Sequence, residues 1–301
     1  NMRIYFIGIG FFLLHLLSNV ANDIVQKYTG CNLSAFEVLF FRFLFGTLML
    51  VPLIIYYGKE TLRTNNIYIH LLRGLLLFIG LLFWIYGLMV VKVTTVTVMG
   101  LAIPVVTLVL ARIFLNERII WQRWLVTIVA FLGITIVLNP GAEFKVEMLA
   151  LLGAVVCFAM LDVVNKKIIV EESMLGMLFY SSLATTVLSA VPFLVFNWQT
   201  PSQPLLAALF GWQDPTAYLP VLFLLGIGAN LVLYFILKAF SYADATAIAP
   251  YRFLELIIAA IAAYYVFAEQ PEKSTLYGAC IIIPATLFII YSEKRQLAKS
   301  S

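Results

Sequence analysis

Two ionisable side chains three residues apart, Arg252 and Glu255, interrupt the apolar stretch "DATAIAPYRFLELIIAA". Charge in such surroundings is expensive to desolvate, and its default reading is functional. The i, i+3 spacing lets the two residues face each other on a helix. Glu255 then either pairs with Arg252 or meets a cationic ligand, and Arg252 either contacts that ligand or holds Glu255. Pro250 removes a backbone donor just before them and kinks the chain.

Other polar groups stand in similar settings. Arg42, in "FFRFLFG", can grip an anion bidentately, pair with Glu37, or snorkel outward. His15, Ser18, Asn19 and Asn22 share one helical face, which lines a cavity or makes a polar helix contact. Asp23 follows them. Phe158, Asp162 and Asn165 recur on another segment, where Asp162 suits a gate or anchor as readily as a ligand contact and Asn165 is read as gating or structural. Trp84, Tyr234 and Tyr251 offer aromatic faces that bind cations or stack on bases, or simply pack. Glu117 and Glu269 close two apolar runs and are read as helix caps or gates.

The elements that must carry these residues follow from composition. Of 301 residues, 63% are hydrophobic and 11% charged, against roughly a quarter charged in soluble domains. Such a chain uses lipid as solvent, and its long apolar runs predict helices rather than a barrel. Ten spans are expected, at residues 4–25, 36–57, 70–91, 93–115, 121–138, 148–164, 174–196, 218–237, 245–267 and 276–291. The first is read as a retained span rather than a leader. With Arg42 and Arg252 left out as lying within spans, thirteen basic residues, Arg73 among them, are read as anchors on one side and four on the other, which predicts both termini in the cytoplasm.

The two halves resemble each other. Asp23 with Lys27 matches Asp162 with Lys166 at an offset of 139, and "FLNE" matches "VFAE" at an offset of 152, which also aligns Thr94 with Thr246. Five spans per half is odd, so residues 1–140 and 148–296 are expected to form two inverted-topology repeats, as in secondary carriers. The chain has no phosphate loop and no zinc-binding His pair, so no ATP-driven engine, cofactor or metal is expected. Cys31, Cys157 and Cys280 show no metal or disulfide spacing, and a net charge of +4 does not indicate nucleic acid. Scattered His and Cys argue against an intramembrane enzyme. A membrane receptor, which would bind without net flux, is the other class to weigh.

The stretches "ANDIVQKY", "FEVLFFRFLFG", "HLLRGLLLF", "NERIIWQRW", "FAMLDVVNKK", "DATAIAPYRFLELIIAAIAAY" and "CIIIPATLFIIYSEK" lie in both halves. On them the chain resembles the EamA-type drug/metabolite transporter superfamily, and within it the S-adenosylmethionine uptake transporters of intracellular bacteria. The resemblance implies a multi-pass protein of the bacterial inner membrane. It would import S-adenosylmethionine by alternating access, in exchange for S-adenosylhomocysteine. Export of amino acids, drugs or another small metabolite, which the wider superfamily performs, is the alternative. S-adenosylmethionine carries a sulfonium, an ammonium, a carboxylate and an adenine. A site for it would use Glu255 as the acid, Arg42 or Arg252 for the carboxylate, and Trp84, Phe158, Tyr234 and Tyr251 as aromatic surfaces, with Asn19 and Asn22 beside them.

Overall fold

The computed structural model describes residues 2–30, 33–116, 121–138, 147–195, 216–268 and 270, and isolated positions between 273 and 291. Among these residues there are helices and no strand. The helices are α1 (Met2–Gly30), α2 (Ala35–Tyr57), α3 (Ile67–Val90), α4 (Val93–Gly100), α5 (Ile103–Phe114), α6 (Trp121–Leu138), α7 (Glu147–Ile168), α8 (Met174–Val195), α9 (Leu219–Tyr242), α10 (Ala245–Ile248) and α11 (Leu254–Phe267). Lys273, Tyr277, Cys280, Ile281, Pro284, Phe288 and Tyr291 are also helical. Among the described residues, seven helices are long and apolar enough to cross a membrane.

Local chemistry sets several boundaries. Ser34 and Glu37 form a reciprocal capping box at the start of α2: the Glu37 amide donates to Ser34 Oγ (3.3 Å) and the Ser34 amide to Glu37 Oε2 (2.8 Å). Asn66 Oδ1 accepts from the first amides of α3, Tyr68 and Ile69. Two expected spans are broken. The stretch 93–115 is two helices, α4 and α5, joined by a turn at Leu101–Ala102, with Pro104 at the start of α5 where no intrahelical donor is needed. The stretch 245–267 is α10, a 3-10 turn over Ala249–Phe253 that contains Pro250, and α11.

The helices pair along their lengths. α1 lies against α9, α3 against α7, and α2 against both α8 and α9. The α2–α9 crossing depends on glycine: a Cβ on Gly226 would stand 2.9 Å from both the Arg42 carbonyl oxygen and the Gly46 amide nitrogen, backbone atoms that cannot yield. Leu48, Leu71, Ile113, Ile128 and Leu132 are exposed, whereas Ser181, Ser182, Thr185, Thr186 and Ser189 of α8 are buried. The hydroxyls of Thr185, Thr186 and Ser189 return to carbonyls one turn back at 2.7–2.9 Å, which satisfies them without water. Apolar groups outside and small hydroxyls inside suit helices packed in lipid.

Two lysines tie helix ends together. Lys27, near the end of α1, donates to the Val91 carbonyl beyond α3 at 3.0 Å. Lys166, near the end of α7, donates to the Ala243 carbonyl beyond α9 at 2.9 Å and lies 3.6 Å from Asp244. Cations suit these positions because a helix C-terminus exposes unpaired carbonyls and the negative end of its dipole.

Asn116, two residues beyond α5, and Ala268, just beyond α11, have left-handed backbones with φ of 52° and 51°. Asparagine tolerates that conformation, but alanine places its Cβ against the carbonyl oxygen, at roughly 1 kcal/mol. Ala268 is exposed, so a larger side chain meets little obstruction. Ala268→Asn is therefore expected to raise the thermal midpoint in detergent, by a stabilisation of about 0.5–1 kcal/mol. A lowered midpoint would contradict the strain assigned to Ala268.

Candidate functional site

A central cavity holds about 710 Å³ of empty space, counted out to its mouth. α1 contributes His15 and Asn19, α2 Arg42 and Phe43, and α3 Leu77, Leu81 and Trp84. The opposite wall is Phe158, Leu161, Asp162 and Asn165 of α7, with an apolar strip of α9 from Ala229 to Ile236. Ile103, Arg252 and Glu255 enter where the two broken segments resume. Breaking a helix at the cavity frees backbone polar groups in a place lined by protein rather than lipid.

The charges are disposed unequally. Arg252 Nη2 donates to Asp162 Oδ2 at 3.0 Å, with both side chains largely buried, and its guanidinium lies 5.7 Å from the Phe12 ring. The Arg252 ion pair thus goes to Asp162 rather than to Glu255, its neighbour in sequence. Among the described residues, the hydrogen-bond partner of Glu255 is Asn19, whose Nδ2 donates to Oε1 at 2.6 Å. Glu255 is 5% exposed, so a carboxyl group with one amide donor sits in the cavity wall, without a bonded cation among the described residues.

Arg42 is arranged differently. Its Nη1 donates to Gln26 Oε1 at 2.6 Å, not to Glu37, and its Nε is buried without a partner among the described residues. Gln26 Nε2 then reaches Asp23 Oδ1 at 3.5 Å, and the same oxygen accepts from Trp84 Nε1 at 2.9 Å. An unpaired buried donor is costly. His15 Nδ1 lies 2.9 Å from the Val232 carbonyl; that oxygen can only accept, so Nδ1 carries the proton.

Of the residues singled out in the sequence, Glu255, Arg252, Arg42, Trp84, Phe158 and Asn19 line this cavity. The Trp84 and Phe158 rings meet edge to face at 5.7 Å, and Gly100 makes room for the indole, since a Cβ there would come within 2.5 Å of it. Asp162 and Asn165, read as gate or anchor, also line the cavity. Asp23 does not, but it holds Trp84. Three candidates fall elsewhere. Asn22 turns its amide to the Ser18 carbonyl at 2.8 Å, against Gly228 of α9. Tyr251 is 1% exposed, with its hydroxyl 3.4 Å from that of Tyr5. Tyr234 packs at the edge of the core beside Phe235. In the 3-10 turn Tyr251 comes one residue before Arg252 and so about 120° around the axis, away from the cavity. Glu117 and Glu269 lie outside the described residues.

Sequence reasoning passed over Gln26 and Arg73. Arg73 was counted among loop anchors, yet it is fully buried and bonded to Asn165. The signal for Gln26 was present: "DIVQK" and "DVVNK" share an Asp, an amide three residues on, and a Lys.

A buried ion pair punishes the loss of one partner more than the loss of both. Asp162→Ala should lower thermal stability in detergent by about 3–5 kcal/mol by leaving Arg252 unpaired. Adding Arg252→Met should recover most of that loss. An undiminished midpoint in the single variant would mean that the pair is not formed.

Known proteins share this architecture and sequence. The profile of the EamA-like transporter family matches residues 6–139 and 145–291. The chain is 54% identical to an S-adenosylmethionine uptake transporter of Rickettsia bellii, over 99% of this chain and 98% of that protein. It is 51% identical to one of Rickettsia prowazekii, over 99% and 97%. A riboflavin transporter of Brucella anthropi is 27% identical over 91% and 94%. A protein known from a crystal structure shares the fold at a TM-score of 0.70 and 17% identity, over 96% of this chain and 97% of that one. Two profile matches that together span most of the sequence, and relatives above half identity over nearly all of it, lead to one conclusion: the chain belongs to the EamA-like transporter family.

Proposed function

We propose that this transporter imports S-adenosylmethionine across the bacterial inner membrane by alternating access, in exchange for S-adenosylhomocysteine. The observation that carries the reading is the charge left over in the cavity. Arg252 and Asp162 neutralise each other, which leaves the Glu255 carboxyl group and the Arg42 guanidinium, bonded to the neutral amide of Gln26. A ligand that satisfies both has a cation and an anion. In S-adenosylmethionine the sulfonium would face Glu255 and the carboxylate Arg42, with Trp84 and Phe158 as aromatic walls. Relatives named for S-adenosylmethionine uptake, at 51–54% identity, support the same substrate. S-adenosylhomocysteine keeps the adenosyl and amino-acid groups and lacks only the methyl and its charge, so it fits the same cavity with weaker electrostatic hold.

Alternating access draws support from correspondences between the halves. Offset by 139, Lys27 and Lys166 both cap a helix end, and Thr47 meets Thr186 with their hydroxyls 3.4 Å apart. Offset by 152, the capped carbonyls are Val91 and Ala243, and the left-handed residues are Asn116 and Ala268. Both broken segments start at corresponding positions, Val93 and Ala245. These matches favour two five-span repeats of opposite orientation, hence ten spans, and the basic-residue bias favours cytoplasmic termini. Rocking of one repeat against the other would expose the cavity to each side in turn.

Purified protein in proteoliposomes tests the proposal. Saturable uptake of labelled S-adenosylmethionine is expected, accelerated when the lumen holds S-adenosylhomocysteine. Absence of saturable uptake under both conditions would refute the substrate.

A further inference from the structure

Asn165 looks at first like a spacer between the cavity and the protein interior, but its bonding leaves one orientation open. Its Oδ1 accepts from Arg73 Nε at 2.7 Å. Guanidinium groups only donate, so the carbonyl end of the amide must face Arg73 and the NH₂ end must face away. Asn165 lines the cavity, so that end is a donor presented to whatever occupies it.

Arg73 is itself held in place. It is fully buried; its Nη1 lies 3.1 Å from His70 Nδ1 and donates to the Met177 carbonyl at 3.2 Å. By the same donor rule His70 Nδ1 accepts, so the ring proton sits on Nε2, 3.3 Å from Glu172 Oε2. Glu172, in the link between α7 and α8, accepts from Thr64 Oγ1 at 2.8 Å and from the Asn65 amide at 3.4 Å. Burial pushes its carboxyl up, but the hydrogen bonds from Thr64 and Asn65 and the nearby His70 ring outweigh this and hold it below the usual glutamate value. The chain from Glu172 through His70 and Arg73 to Asn165 therefore ends on a charged, anchored carboxylate.

The cavity walls also fix where Asn165 stands. On α7, Phe158 and Asn165 are seven residues apart, about 10 Å along the axis. Trp84, stacked edge-on to Phe158, shares the Asp23 carboxylate with Gln26, and Gln26 holds Arg42. Arg42 thus belongs with the Phe158 end and Asn165 with the other. If Arg42 takes the carboxylate, the acceptor left for Asn165 is uncharged and lies at the far end of the ligand.

We infer that Asn165 is a specificity-determining donor to the nucleoside end of the substrate, a ring nitrogen or ribose oxygen, and that Arg73 is the positioning residue that sets its orientation. The inference rests on the proposed substrate. Asn165→Asp keeps an acceptor for Arg73 and so preserves the packing, but it replaces the donor by a second acceptor.

The measurement is equilibrium binding of S-adenosylmethionine to purified protein, with S-methylmethionine as competitor; this compound has the sulfonium amino acid and no nucleoside. Asn165→Asp should leave the melting temperature unchanged and weaken S-adenosylmethionine about tenfold, while inhibition by S-methylmethionine stays within about twofold. Arg73→Lys should shift the ratio of the two affinities in the same direction. In the Asn165→Asp background it should shift that ratio no further, because the donor it orients is already gone. An unchanged ratio in Asn165→Asp, or an equal loss for both compounds, would overturn the inference even if Arg73→Lys fails to fold. Wild-type protein that binds neither compound would overturn the substrate proposal and this inference together.

Discussion

Between α7 and the 3-10 turn ahead of α11, Arg252 and Asp162 hold each other at 3.0 Å with little water to solvate either. Each is the counter-ion that offsets the other's cost of desolvation. Their mutual bond decides what is left for Glu255, the other charged group of the same segment. It withdraws Arg252 from Glu255, leaving that carboxylate to an amide donor. It also joins α7 to the turn at Pro250, so the break in the segment 245–267 is anchored to the opposite wall.

The polar groups around this pair work as holders more often than as ligand contacts. Asp23 holds Trp84, Gln26 holds Arg42, and Arg73 holds Asn165. Each of these bonds spends one hydrogen-bonding group and so dictates which atom the neighbour can offer to a ligand. Trp84 has spent its single donor and can offer only its ring. Arg42 keeps the guanidinium hydrogens that Gln26 does not take, and Asn165 keeps its NH₂. The cavity therefore has a definite chemical sense: an acid without an ion partner among the described residues, guanidinium and amide donors, and aromatic walls.

Much of this was legible in the sequence, and the reason is physical. Lipid-facing helices need long apolar runs, so their positions and the residues that interrupt them stand out, as Glu255, Arg252, Arg42 and Asp162 did. Helix breaks were harder to see. Pro250 announced one, but the turn at Leu101–Ala102 has only Gly100 and Pro104 nearby, and neither by itself ends a helix in a membrane. Pairing was not legible at all, because i, i+3 spacing favoured Arg252 with Glu255, whereas the bond reaches Asp162, ninety residues away. Arg73 was misread for a related reason: basic residues near the end of an apolar run are normally anchors in water, and only its contacts with α7 and α8 reveal that it is enclosed. Tyr251 and Asn22 share the neighbourhood of site residues but not their helical face.

The central claim is that Glu255 is the counter-charge for a cationic substrate. Its most direct test is the ratio of affinities for S-adenosylmethionine and S-adenosylhomocysteine, which differ in the sulfonium methyl and its charge, in wild-type protein and in Glu255→Gln. The account predicts that the wild type prefers the sulfonium and that the variant loses about tenfold of this preference, chiefly through weaker S-adenosylmethionine binding. An unchanged ratio, with both ligands bound as before or both weakened equally, would contradict it.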